Sequence, residues 1–231
     1  MSVLMRRICL AVAVLVGVAG CGAKTPTRDF NELIPRMMGA VNRNSNPVDA
    51  AANLFNVTSP DERRDAIAYL ETKKYGHEPA YMRAYEILTT DPHPMVRAQA
   101  MRALGGSHDA AAVPYLINGT TGKTGLADPE AEVRRDAAQG LLKVLSPEAF
   151  GPLMDHLAKD TDDQVRVACA RALRHARNAE GARALIQALD DKNAAVVYWA
   201  HESLIMSTGM KLSYDGKEWM EWWQETYGKK G

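Results

Sequence analysis

DPHPMVRAQAMRALG (91–105), DPEAEVRRDAAQGLL (128–142), DTDDQVRVACARALR (160–174) and DKNAAVVYWAHESLI (191–205) are four versions of one phrase. Each opens on an aspartate with a valine five residues on. The valines Val96, Val133, Val165 and Val196 are spaced 37, 32 and 31 residues apart. A looser fifth version, SPDERRDAIAYLETK (59–73), has Glu62 in the valine position and Leu70 in the leucine position, and Glu62 precedes Val96 by 34 residues. Counted from the anchor, apolar or small residues recur at offsets 0, +4, +7 and +8. They are Val133, Ala137, Gly140 and Leu141 in the second copy and Val165, Cys169, Ala172 and Leu173 in the third. At about 100° per residue these offsets share a stripe roughly 100° wide, the buried face of an amphipathic helix. Small residues at +4 and +7 admit a neighbouring helix at close range. Cys169 occupies a +4 position that is Ala100, Ala137 and Ala200 elsewhere, so it reads as a small buried hydrophobe rather than a reactive thiol.

A shorter apolar segment precedes each of these helices, at 79–88, 111–117, 148–158 and 179–189, with a turn rich in Asp, Pro or Asn between the two. Two helices per repeat make a helical hairpin, which buries its apolar face only by stacking on its neighbours. The expected fold is therefore all-α, a solenoid of about five hairpins over 47–207, the segment 47–55 supplying the first helix of the loose copy. A helical segment is expected at 29–46, where Phe30, Leu33, Ile34, Met37, Met38 and Val41 fall at helical spacing and Pro35 suits a first turn. At the other end, 208–231 carries Trp219, Trp222, Trp223 and Tyr227 on one helical face. Exposed, these rings would be a binding surface. The favoured reading is a capping helix, because a stack must close its open end and Trp199 and Leu204 of the last copy have no further repeat to cover them.

The phrase D-x-x-x-x-V-R-x-x-A-x-x-A-L resembles the HEAT-repeat family over about 59–205, and most of all the bacterial subgroup related to phycobilisome-lyase HEAT-like repeats. The resemblance implies a ladder between adjacent repeats made by Asp91, Arg97, Asp128, Arg134, Asp160 and Arg166. Each arginine sits at offset +1, on the edge of the stripe, where its stem packs and its head reaches a carboxylate or a turn carbonyl. Val197 stands in the arginine position of the last copy, so the ladder is expected to stop there. Bilin lyases share these repeats, which makes an enzyme or chromophore-handling protein the alternative to a scaffold, on an analogy of fold alone.

Residues 1–20 have the form of an export leader: Arg6-Arg7, an apolar run from Ile8 to Val16, then small residues before Cys21. The run is too short to span a bilayer of about 30 Å. Val18-Ala19-Gly20-Cys21 resembles a bacterial lipobox, which implies cleavage before Cys21 and a diacylglycerol on its thiol, with 21–28 as tether. Gly22 follows, where an aspartate would favour inner-membrane retention in some bacteria, so the expected location is the envelope, with the outer membrane favoured over the inner. The full chain carries 28 basic and 28 acidic residues, and loss of Arg6 and Arg7 leaves 26 against 28. A slight acidic excess argues against nucleic acid as a partner. Once Cys9 is removed and Cys21 lipidated, Cys169 is alone, so no internal disulfide braces the body.

Other apparent motifs dissolve on inspection. NGTTGKTGL at 118–126 contains Gly122-Lys123-Thr124, yet a phosphate loop would need glycine where Ile117 stands and a strand before it. It reads as a loop insertion that lengthens one repeat to 37 residues. The six histidines form no pair at i, i+3 or i+4 and no HExxH, and no G-x-S-x-G turn occurs, so neither a metal, nor another cofactor, nor a catalytic set is expected. The expectation is a non-catalytic interaction scaffold or, in plainer form, a spacer. Offsets +2, +5, +6 and +9 of the second helices should line the concave side: Arg64, Arg102, Arg135, Gln139, Arg171, Arg174, Tyr198, His201 and Glu202. Five of these nine are arginines, which points to an envelope protein with an acidic surface as partner.

Overall fold

The computed structural model describes residues 46–118 and 122–228. The leader, the lipobox with Cys21, the tether and all but the last residue of the segment 29–46 lie outside the described residues. The chain divides into two units, 1–42 and 43–231, and only the second contains described residues.

Local rules set where the helices start. α1 (Pro47–Asn53) and α2 (Pro60–Glu71) each begin on a proline, behind Asn46 and Ser59, whose side chains accept from first-turn N–H groups. α3 (Pro79–Leu88) and α4 (Pro94–Gly106) also start on proline. Asp162, Asn178, Asn193 and Asp215 cap α8 (Asp163–Ala172), α9 (Ala179–Gln187), α10 (Ala194–Thr208) and α11 (Gly216–Tyr227). Between α4 and α8 run α5 (Val113–Ile117), α6 (Ala131–Val144) and α7 (Phe150–Lys159). The helices expected at 111–117, 148–158 and 179–189 are found, with 3-10 turns at Ala110–Ala112, Pro147–Ala149 and Ala188–Asp190 taking up an end of each. No strand occurs among the described residues.

The helices pair as five hairpins, α1/α2 through α9/α10, and the second helices α2, α4, α6, α8 and α10 pack one on the next. The anchors Val96, Val133, Val165 and Val196 and their +4 partners, Cys169 included, are fully buried between them. Burial pushes the Cys169 thiol far up from its ordinary pKa, which leaves it protonated and inert. α4 and α6 come close at a pair of glycines: a Cβ on Gly105 would lie 2.3 Å from the Cα of Gly140. Gly105→Ala gains about 1 kcal/mol of helix propensity, but overpacking against backbone costs about 1–3 kcal/mol or more. The variant is expected to melt below the wild type, and a melting temperature at or above it would refute this contact.

A charged ladder runs along the turns. The Nε and Nη2 groups of Arg97 donate to both carboxylate oxygens of Asp128 at 2.8 and 2.9 Å, and its Nη1 donates to the Asp91 carbonyl at 2.9 Å. Arg134 does the same between Asp160, at 2.8 Å twice, and the carbonyl of Asp128. Arg166 links Asp191 with the carbonyl of Asp160. Each guanidinium thus joins the turn of its own repeat to the turn of the next. Two rungs lie beyond the six residues expected: Arg63 forks onto Asp91 at 2.7 and 2.9 Å, and Asp191 receives Arg166. Each aspartate also accepts from a backbone N–H two residues on, those of His93, Glu130, Asp162 and Asn193, an Asx turn that fixes its carboxylate before the arginine arrives.

Candidate interaction face

The nine residues expected on the concave side do not form one open row. Arg64 is ion-paired within its own helix, 3.2 Å from Asp61 and 2.9 Å from Asp65. Arg102 reaches across to α6, 2.7 Å from the buried Asp136 and 3.6 Å from Glu132. Arg135 takes the same two carboxylates at 3.2 and 3.4 Å, and Gln139 is half-buried one turn on. The three arginines nearer the amino terminus are therefore neutralised by the protein itself. Their acids stand at offset +3, Asp65 and Asp136, and at −1, Asp61 and Glu132.

Arg171 and Arg174, on α8 and the turn after it, are different. The Arg171 guanidinium lies 4.4 Å above the ring of Trp199, which meets Tyr198 edge to face at 5.2 Å. The Nε of Arg171 is buried without a hydrogen-bond partner, while the Nε of Arg174 donates to His175 at 3.3 Å. Tyr198 is 47% exposed and Trp199 half-buried. Trp199 thus belongs to this face and not to the closed end of the stack. Glu202 is half-buried, 3.8 Å from Nδ1 of His201.

His201 corrects the expectation: it is buried, not displayed. Its Nε2 donates to the Leu212 carbonyl at 2.9 Å, and its ring stacks on Tyr214 at 3.9 Å. Offset +5 falls at about 140° at 100° per residue, on the flank of the helix roughly midway between the buried stripe and the face opposite it. The chain returning after α10 covers that flank. Gly209 makes the turn in the left-handed region at φ 78°, so 210–215 can run back over His201 to α11.

On α11, Trp219 is fully buried, donates its indole N–H to the Ser213 carbonyl at 2.7 Å, and stands edge to face with both His201 and Trp222. Trp223 donates to the carbonyl of Ala179 at 2.8 Å, which ties α11 to α9. Trp222 and Tyr227 pack partly buried against the core. Leu204 is fully buried. The insertion after Ile117 folds back on the preceding repeat, Thr124 donating to the Thr89 carbonyl at 2.8 Å; residues 119–121 are outside the described set.

The repeat phrase, the stacked hairpins and the turn ladder define a class, and comparison agrees. Two overlapping stretches, 84–163 and 121–205, match the family described as HEAT repeats, and together they span more than half of the chain. This chain belongs to the HEAT-repeat family. Among solved structures it is similar to the complex of CpcE and CpcF of phycocyanin lyase from Nostoc sp. PCC7120. That likeness has a TM-score of 0.63 and 21% identity, and covers 82% of this chain and 71% of the other. It is also similar to an engineered protein from the Northeast Structural Genomics Consortium, at a TM-score of 0.53 and 19% identity, over 70% of this chain and 78% of that one. At such identities the likeness establishes the fold alone. No curated protein sequence matches.

Proposed function

We propose that this chain is a lipid-anchored, non-catalytic scaffold of the bacterial envelope that uses its second-helix face to hold another protein. The observation that carries the reading is that face. The stacked second helices, joined at their turns by the ladder, present a half-exposed Tyr198–Trp199 pair beside two arginines that meet no carboxylate among the described residues. Tryptophan, tyrosine and arginine are the residue types that dominate binding energy at protein interfaces. Support for the anchor is the Val18-Ala19-Gly20-Cys21 motif behind its apolar run. Among the described residues no helix is long and apolar enough to cross a membrane. Two or three acyl chains hold firmly, because each buried methylene contributes about 0.8 kcal/mol.

The test is to express the wild type and Cys21→Ser in a bacterial host fed radiolabelled palmitate. The wild type is expected to carry label and sediment with membranes, and the variant to carry none and appear in the soluble fraction. Wild type isolated from detergent-solubilised envelope should bring a stoichiometric protein partner with it. An unlabelled wild type would overturn the anchor, and isolation of the chain alone would overturn the scaffold.

A further inference from the structure

We propose that the part of the second-helix face formed by α8 and α10 docks an acidic segment of the partner protein, its carboxylates held by Arg171 and Arg174 beside the Tyr198–Trp199 pair. This rests on the scaffold reading and specifies the chemistry of what is held.

The division among the arginines carries the argument. Arg64, Arg102 and Arg135 each have a carboxylate within 3.2 Å. Among the described residues no carboxylate lies within 4.0 Å of Arg171 or Arg174. A guanidinium has five N–H donors, and among the described residues no acceptor takes one from Arg171, whose Nε is buried without a partner. The Trp199 ring, 4.4 Å from the Arg171 guanidinium carbon, restrains that side chain, so less entropy remains to be lost when a carboxylate binds. Glu202, on the same helix as Trp199, turns towards His201. His175, beside Arg174, has its pKa lowered first by burial and then by the charges of Arg174 and Arg177. An anionic ligand with some apolar surface meets the half-exposed side chains of Arg171 and Arg174 and covers the exposed Tyr198 at once.

A protein segment fits better than a lipid headgroup. Tyr198 and Trp199 lay an apolar, aromatic surface directly beside the two arginines. A headgroup would make no use of an edge-to-face aromatic pair, whereas a peptide has side chains to lay on it.

The probe is fluorescein-labelled hexaglutamate, titrated by anisotropy with the full-length chain carrying Cys21→Ser, with labelled hexalysine as the opposite-charge control. Saturable binding is expected for hexaglutamate only, weakening as salt is raised. The double variant R171A/R174A should bind about tenfold more weakly, the order expected for two solvent-accessible charged contacts. R83A/K159A removes two exposed cations from the first helices and should bind as the parent does. If R171A/R174A does not fold, as judged by circular dichroism, R174E serves in its place and should abolish binding. Absence of saturable binding, or equal weakening in R83A/K159A, would overturn the proposal. So would flotation with phosphatidylglycerol vesicles that depends on Arg171 and Arg174 while hexaglutamate stays unbound. If the envelope isolation brings a partner but hexaglutamate does not bind, this inference fails and the scaffold reading stands.

Discussion

Trp219→Ala is expected to lower the stability of the chain by about 3–5 kcal/mol, the range for removing a fully buried large aromatic from a core. The ring has no solvent exposure, and its N–H is bonded to Ser213 in the segment that covers His201. Its loss opens a cavity and frees 210–215 together. A chain ending at Ser207 goes further, because it removes the hydrogen bond from Trp223 to Ala179 and uncovers His201. That truncated chain should melt well below the wild type and self-associate through the uncovered apolar end. Thermal unfolding followed by circular dichroism, with light scattering for association, checks both. If it melts at the wild-type temperature, stays monomeric and loses only a partner, the α11 aromatics form a binding surface and not a cap.

The second large effect is expected at the centre of the ladder. Arg134→Ala should cost about 3–5 kcal/mol, because it leaves the carboxylate of Asp160, only 2% exposed, without its fork of donors. The lower end of that range is favoured, since the N–H of Asp162 and His156 still reach Asp160. Denaturant unfolding measures the loss, and a change below about 1 kcal/mol, the value of an exposed pair, would sink the ladder as a stabilising device. Acid offers an independent check. Burial alone would raise the pKa of Asp160, but the bonds from Arg134, from the N–H of Asp162 and from His156 outweigh it and hold the pKa at about 2. Asp191 is lowered too, chiefly by Arg166. With folded-state values below the unfolded ones, this stability is present above the unfolded carboxylate pKa near 4. It is lost as pH falls through the folded value, so the wild type should weaken between roughly pH 4 and 2, and Arg134→Ala should show a shallower acid dependence.

Much of the fold was legible in the sequence because it is written several times. The anchor valines, the +4 alanines and Cys169 fall where a period of 3.6 puts them, and all are buried. The outer rungs, Arg63 and Asp191, were also visible in register. Arg63 is the less marked of the two, because Glu62 stands in the valine position and Val57 where the aspartate of its own copy would be. The interaction face was less legible, and for a physical reason. Offset arithmetic says which way a side chain leaves its own helix but not what the neighbouring helix sends to meet it. Arg102 and Arg171 share offset +6, yet the first meets Asp136 and the second Trp199. His201 went astray because a segment outside the repeat, 210–215, folds over it. Nothing in a periodic pattern encodes such a return.

The two-ended grip of each ladder arginine bears on how such an array changes length. Every joint between repeats presents the same plug, an arginine, and the same socket, an aspartate in an Asx turn. Excising 128–159 whole would bring Arg97 to face Asp160 in place of Asp128, and no charge would be stranded. Duplicating the same stretch would likewise couple on both sides. An excision that takes a ladder arginine without an aspartate, or the reverse, strands a guanidinium or a carboxylate in a nearly dry turn. The joint therefore acts as a reading frame for gene rearrangement, allowing the array to gain or lose whole repeats while penalising fractional ones.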